Sequence, residues 1–261
     1  MTDQNSIIDI LSIVSFPNSE RVSYLEKSFG SFYQFNLKNK YRHIVIDGSL
    51  ENFGQEEIYK KYSVQYFFIK ETYSKRLKIG LSKIKNEYFL FMPDDYRWII
   101  EYPFSQALEE CKINKIHELK LVCRGMDWFS QKNPTPLPWH LNGKVISGEQ
   151  LYKKGNLYIS NRKIIKNFHE NFSIGCHIIN LNYINRLIKH LPSYIKSPSE
   201  VEKYFYLIIF LNRLWCRVAY YKMIIPAFHF ATIEAEPYSD KFKDMLINEN
   251  TNIYNNAFNL K

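Results

Sequence analysis

Apolar positions in the first hundred residues switch repeatedly between two periods. Residues 8–16 (IDILSIVSF) are β-branched and apolar and close at Pro17-Asn18, the pattern of a buried strand with a turn at its exit. Residues 21–35 then bring Val22, Leu25, Phe29 and Phe32 onto one helical face. Residues 41–46 (YRHIVI) read as a second strand ending in Asp47-Gly48-Ser49, residues 56–62 suit a helix, and residues 64–69 (VQYFFI) read as a third strand. A basic amphipathic helix over 74–84 leads into a fourth apolar run, which stops at Pro93-Asp94-Asp95. Strands alternating with helices at this spacing predict an α/β domain with a mostly parallel central sheet, flanked by helices and joined by right-handed crossovers. The C-terminal rim of such a sheet gathers Ser15, Asp47, Asp94 and Asp95, and open α/β sheets bind ligands there.

The carboxylate pair is the sharpest chemical signal. Leu90, Phe91 and Met92 bury well in a sheet covered on both faces, whereas Asp94 and Asp95 are costly inside unless paired, hydrogen-bonded or bound to a cation. Hard oxygen ligands suit Mg²⁺ or Mn²⁺, especially where substrate phosphates complete the shell. A solvated Pro-Asp-Asp turn is the plainer alternative.

The second half carries a strand over 172–179, a helix over 182–191, and a long apolar helix over 203–214 opened by Ser199-Glu200-Val201-Glu202. Ser199 and Glu202 have capping-box spacing, and Glu200 would complement the helix dipole. A strand over 217–225 precedes Pro226-Ala227-Phe228-His229. Residues 126–161 read as a long loop in which Pro134, Pro136 and Pro138 crowd beside Trp128 and Trp139. Such a loop suits either sugar stacking or ordinary surface packing.

A chain of 261 residues can bury a substantial core, and no Gly/Ser/Pro-rich linker divides it, so a single domain over 1–261 is expected. Cys111, Cys123, Cys176 and Cys216 form no Cys-x-x-Cys pair, which argues against a zinc site and a disulfide framework and for a reduced, cytoplasmic setting. The polar first residues do not read as a signal peptide, and the apolar run 204–211 is too short for a bilayer that needs about 20 residues. A net charge of +9 attracts phosphate-bearing substrates, anionic membrane surfaces and nucleic acid alike. No nucleic-acid-binding signature accompanies the charge, which argues against nucleic acid as the partner.

On these motifs the sequence resembles the nucleotide-sugar glycosyltransferases of GT-A fold, glycosyltransferase family 2 in particular. The first strand with its Ser-Phe-Pro exit is similar to the segment that holds the nucleotide base, and Asp47-Gly48-Ser49 to the family's Asp-Gly-Ser strand end. The basic helix with Gly80 resembles the Arg-Asn-x-Gly helix, and Asp95 has the spacing from that glycine of the last carboxylate of the Asp-x-Asp motif. Two departures stand out: Pro93 replaces the first Asp, and Leu77 stands where the family has Arg.

The resemblance implies a Rossmann-like GT-A domain whose residues 1–100 bind the nucleotide sugar and whose residues 101–261 bind the acceptor. It implies an inverting, hexosyltransferase-like enzyme acting on a glycan or lipid-linked glycan, with peripheral contact at an anionic membrane. Ser15, Phe16, Asp47, Arg76, Lys78 and Asp94 would bind the donor, and Asp95 and His229 would ligate Mg²⁺ or Mn²⁺. Glu202, or Glu200 in its place, would act as general base, because a sugar hydroxyl is a poor nucleophile and a positioned carboxylate contributes about 10²–10⁴-fold. The alternatives are a nucleotidyltransferase of similar fold, whose Gly-rich loop Ser15-Phe16-Pro17-Asn18 lacks, and a glycan- or nucleic-acid-binding protein without catalysis.

Overall fold

The structure, a computed structural model, describes residues 7–98, 101–121, 151–160, 175–211, 216–221 and 227–229. Four strands of the first half lie side by side and parallel, in the order β3 (Gln65–Phe68), β2 (Tyr41–Asp47), β1 (Ile8–Val14) and β4 (Tyr88–Phe91). The same sheet continues through β9 (His177–Asn180), β6 (Glu118–Lys120), β10 (Val218–Tyr221), β8 (Leu157–Ser160) and β7 (Leu151–Lys154). β9 runs against β4 and β6, and β8 runs against β10 and β7, so the nine-stranded sheet is mixed but mostly of one direction. A separate ribbon pairs β5 (Tyr96–Trp98) with β11 (Ala227–His229).

Both faces of the sheet are covered, which explains why β1 is buried at every position. Its even residues Ile8, Ile10 and Val14 pack on one face against Val22, Leu25, Phe29 and Phe32 of α1 (Ser19–Phe35) and Phe104 and Ala107 of α4 (Phe104–Asn114). Its odd residues Leu11 and Ile13 face the other core, built with Leu77 and Leu81 of α3 (Tyr73–Lys83) and Ile184 and Leu187 of α5 (Leu181–Ile188). Phe205 and Ile208 of α6 (Pro198–Leu211) join that second core. Burying each such large side chain stabilises the fold by about 1.5–3 kcal/mol as an upper bound. α2 (Gln55–Lys61) closes the crossover between β2 and β3.

Gly80 sets how closely α3 lies on the sheet. A Cβ there would fall 2.7 Å from Leu11 Cδ1 and 3.0 Å from Ile13 Cδ1, closer than packed carbons approach.

Two local expectations are corrected. The long loop ends in a hairpin: β7 and β8 are joined by Gly155-Asn156, with Gly155 at φ +59°. Lys-Lys-Gly-Asn between two apolar-aromatic runs is a two-residue hairpin signal that proline crowding upstream obscured. The prolines and tryptophans at 128–139 lie outside the described residues. The helix expected to open at Ser199 begins at Pro198, with the capping box two residues earlier: Glu200 N donates to Ser197 Oγ (3.3 Å), and Ser197 N donates to Glu200 Oε2 (3.2 Å). Proline at the first helical position fixes that start. Among the described residues, no helix is long and apolar enough to cross a membrane.

Candidate active site at the C-terminal rim of the sheet

Backbone pairing brings the ends of β1, β2 and β4 to one edge. Gly48 N donates to the Val14 carbonyl (2.9 Å) and Met92 N to the Leu11 carbonyl (2.9 Å), so the chain leaves all three strands at nearly one level. Ser15 is exposed there, while Phe16 is buried with its N–H donating to Ser49 Oγ (2.8 Å). Asp47 is fully buried, its oxygens accepting from Ser49 N (2.7 Å) and the Tyr59 hydroxyl (2.8 Å). The carboxylate thereby holds the Gly48-Ser49 turn in place.

Arg76 reaches the rim from the first turns of α3. It is buried, its Nη1 donates to the Val14 carbonyl, and its Nε has no hydrogen-bond partner among the described residues. Burial holds its pKa below the ordinary arginine value, opposed by Tyr73 and Asp47. Gly48 makes room for the guanidinium: a Cβ would fall 2.2 Å from Nη1. Leu77, the next residue, is buried in the core, so the helix turns Arg76 toward the rim. Lys78 is placed elsewhere, with Nζ donating to the Leu191 carbonyl (2.8 Å) beyond α5.

The carboxylate pair follows β4 directly. Asp94 is 8% exposed and Asp95 half-buried, and one arginine bridges them: Arg21 Nε lies 3.1 Å from Asp94 Oδ2, and Arg21 Nη2 donates to Asp95 Oδ2 at 2.8 Å. The Asp94 contact is an ion-pair distance without hydrogen-bond geometry, so Oδ2 has no hydrogen-bond partner among the described residues. Burial, followed by the adjacent Asp95 charge, pushes the Asp94 carboxyl up to about 6 against the pull of Arg21. Arg21 was not among the residues singled out in the sequence. Its signal was position, in the first turn of the helix that follows a strand tip, where Asn18 caps by accepting from Arg21 N (3.0 Å).

Beneath the pair runs a buried relay that the sequence did not disclose. Ser12 Oγ donates to the Met92 carbonyl (2.5 Å), which leaves His43 Nε2 as the donor to Ser12 Oγ (2.9 Å) and Nδ1 as acceptor from Tyr33 (2.9 Å). Burial lowers the His43 pKa to about 3, so the ring is a neutral linker across β1, β2 and β4.

The second half approaches the rim from the α3 side. Ser74 N donates to the Ile195 carbonyl (3.1 Å) and Thr72 Oγ1 to the Ser193 carbonyl (2.5 Å), which ties the start of α3 to the segment leading into α6. The buried Tyr73 hydroxyl consequently has its pKa raised by burial first, and then by Glu202, Asp94 and Asp95 against the lowering by Arg76. Glu202 is half-buried. Glu200 is exposed, and the N–H groups of Lys196 (3.1 Å) and Ser197 (3.2 Å) hold its carboxyl below the usual range. Strand β11 pairs His229 with Tyr96, the residue after Asp95. Strand β9 places His177 opposite Phe91, and the buried Cys176 thiol, raised by burial, also feels Asp95.

A mostly parallel sheet with an antiparallel strand beside the carboxylate strand defines a GT-A-type, Rossmann-like α/β fold. The chain superposes on the crystal structure of S. aureus TarS 1-349, a GT-A-type glycosyltransferase, with TM-score 0.54 and 15% identity over 95% of this chain and 72% of that one. The same values hold for TarS 1-349 in complex with UDP. Against the longer S. aureus TarS structure the TM-score is 0.51 at 14% identity, covering 96% of this chain and 44% of that chain. At these identities the likeness is one of fold. No protein-family model matches the chain, and no curated protein matches it in sequence.

Proposed function

We propose that the protein is a glycosyltransferase that moves a sugar from a nucleotide-diphosphate donor to a glycan or lipid-linked glycan, with inversion. The observation that carries this reading is the convergence of the buried Asp94, the half-buried Asp95 and two arginines, Arg21 and Arg76, on the rim where the GT-A-type sheet ends. The nucleoside lies against Ser15, Phe16 and the Gly48-Ser49 turn that Asp47 fixes. Arg76, with an unpartnered Nε, faces the phosphates, and buried guanidinium donors are strong phosphate ligands. Lys78 contributes by holding α3 to the segment before α6.

Asp94 and Asp95 fit a Mg²⁺ or Mn²⁺ ion, because Asp94 Oδ2 is a buried carboxylate oxygen without a hydrogen-bond partner. Among the described residues no group of three or more His, Cys, Asp or Glu side chains converges. The remaining ligands would therefore be phosphate oxygens and water, the all-oxygen arrangement Mg²⁺ favours, with His229 proposed as a further ligand. Such an ion neutralises charge on the departing diphosphate.

Glu202 takes the acceptor proton as general base. Glu200 is committed to its helix cap, and Glu202 shares the electrostatic neighbourhood of Asp94 and Asp95 at Tyr73. The test is a radiolabelled transfer and hydrolysis assay with UDP-, GDP-, CMP- and dTDP-sugars. Nucleotide release with sugar transfer or hydrolysis supports the reading. Pyrophosphate release from NTP and sugar phosphate would establish a nucleotidyltransferase, and binding without turnover a non-catalytic protein.

A further inference from the structure

Arg21 is doing something that the donor-site reading alone does not require. Its guanidinium occupies the position between Asp94 and Asp95 where a cation shared by the two carboxylates would sit, at 3.1 and 2.8 Å from their Oδ2 atoms. While it bridges the pair, its guanidinium carbon also lies 5.3 Å from the centroid of the Tyr24 ring, one helical turn on, a cation–π contact that the side chain can keep when it leaves the carboxylates. About one third of the Arg21 side chain is exposed, so it can leave the pair without unpacking the core.

Charge makes the exchange necessary. Two carboxylates and one guanidinium leave a net negative charge at the edge that a diphosphate must approach, whereas a divalent ion in the guanidinium's place neutralises both carboxylates. Arg21 therefore suits the empty site, where it screens two adjacent carboxylates from each other, and opposes the filled one. We propose that Arg21 is a resident counter-cation of the Asp94–Asp95 pair that a divalent metal ion displaces, so that metal binding at this rim is an exchange rather than an addition. Asn18 capping fixes the backbone of Arg21, which makes the side chain alone the moving part.

This inference rests on the donor-site reading, and one experiment separates the two. Nucleotide-free wild type, Arg21→Gln and Arg21→Lys are titrated with Mn²⁺, with free ion followed by its paramagnetic resonance signal. Each is also titrated with UDP, GDP, CMP and dTDP. Loss of a partly exposed charge-assisted contact predicts about tenfold tighter Mn²⁺ binding in Arg21→Gln, with Arg21→Lys between, because an ammonium cannot span both carboxylates. A merely structural arginine predicts unchanged or weaker Mn²⁺ binding on removal. Equal Mn²⁺ affinity in wild type and Arg21→Gln, or no Mn²⁺ binding in any variant, overturns the exchange, and the donor site survives if a nucleotide binds. Tighter Mn²⁺ binding with no nucleotide bound keeps the exchange and removes the donor site.

Discussion

Gly48→Ala isolates the link between the Asp-Gly-Ser turn and Arg76. The added Cβ would fall 2.2 Å from Arg76 Nη1, 2.4 Å from Cζ and 2.7 Å from Nε, so the guanidinium must withdraw from the Val14 carbonyl. Losing a buried hydrogen bond from a charged donor costs about 1.5–3 kcal/mol. Replacing glycine returns about 0.4–1 kcal/mol through the unfolded chain. The net expectation is destabilisation by about 1–2 kcal/mol, a fall in Tm of roughly 2–6 °C for a chain of this size. Nucleotide affinity falls with it, because Arg76 no longer faces the phosphates. Calorimetric melting and nucleotide titration of Gly48→Ala, Arg76→Met and the double variant provide the check. If the alanine acts only by displacing Arg76, the double variant is no worse than Arg76→Met, since the two sites are coupled. Additive losses, or a Gly48→Ala protein with wild-type Tm and affinity, refute the reasoning.

Glu202→Gln is expected to leave nucleotide affinity intact and slow transfer by about two to four orders of magnitude, whereas Glu200→Gln lowers Tm with turnover retained; single-turnover rates on both decide, and near-wild-type rates in each remove α6 from the chemistry. His43, lowered to about 3 when folded and near 6.5 when unfolded, binds protons preferentially in the unfolded chain between those values. Stability is therefore present above about 6.5 and is lost as pH falls toward 3, at about 1.4 kcal/mol per pH unit inside that window. Denaturant unfolding at pH 4–6.5 should show a flatter dependence in His43→Gln, and parallel curves would contradict the neutral relay.

Much of this was legible in the chain. The short β-branched, apolar runs of β1 and β2 and the Val22-Leu25-Phe29-Phe32 stripe of α1 each select one backbone geometry, so the parallel half followed from pattern. The rim position of Asp94 and Asp95 followed from where β4 ends. Arg21 and His43 were not legible, because their partners are 74 and 31 residues away and no local spacing announces a pairing across strands. The capping box was misplaced by two residues because Ser197-Pro198-Ser199-Glu200 and Ser199-Glu202 satisfy the same spacing, and only the proline decides between them. The hairpin at 151–160 was hidden by a loop signal from residues that precede it.

The central claim is that the sheet rim carrying Asp94 and Asp95 binds a nucleotide diphosphate. Its most direct test is calorimetric titration of wild type and the Asp94→Asn/Asp95→Asn variant with UDP, GDP and dTDP in excess Mn²⁺. The account predicts that at least one nucleotide binds the wild type and that the double variant, folded by its melting curve, loses that binding by tenfold or more. Undiminished affinity in the double variant, or no binding of any nucleotide to the wild type, would contradict it.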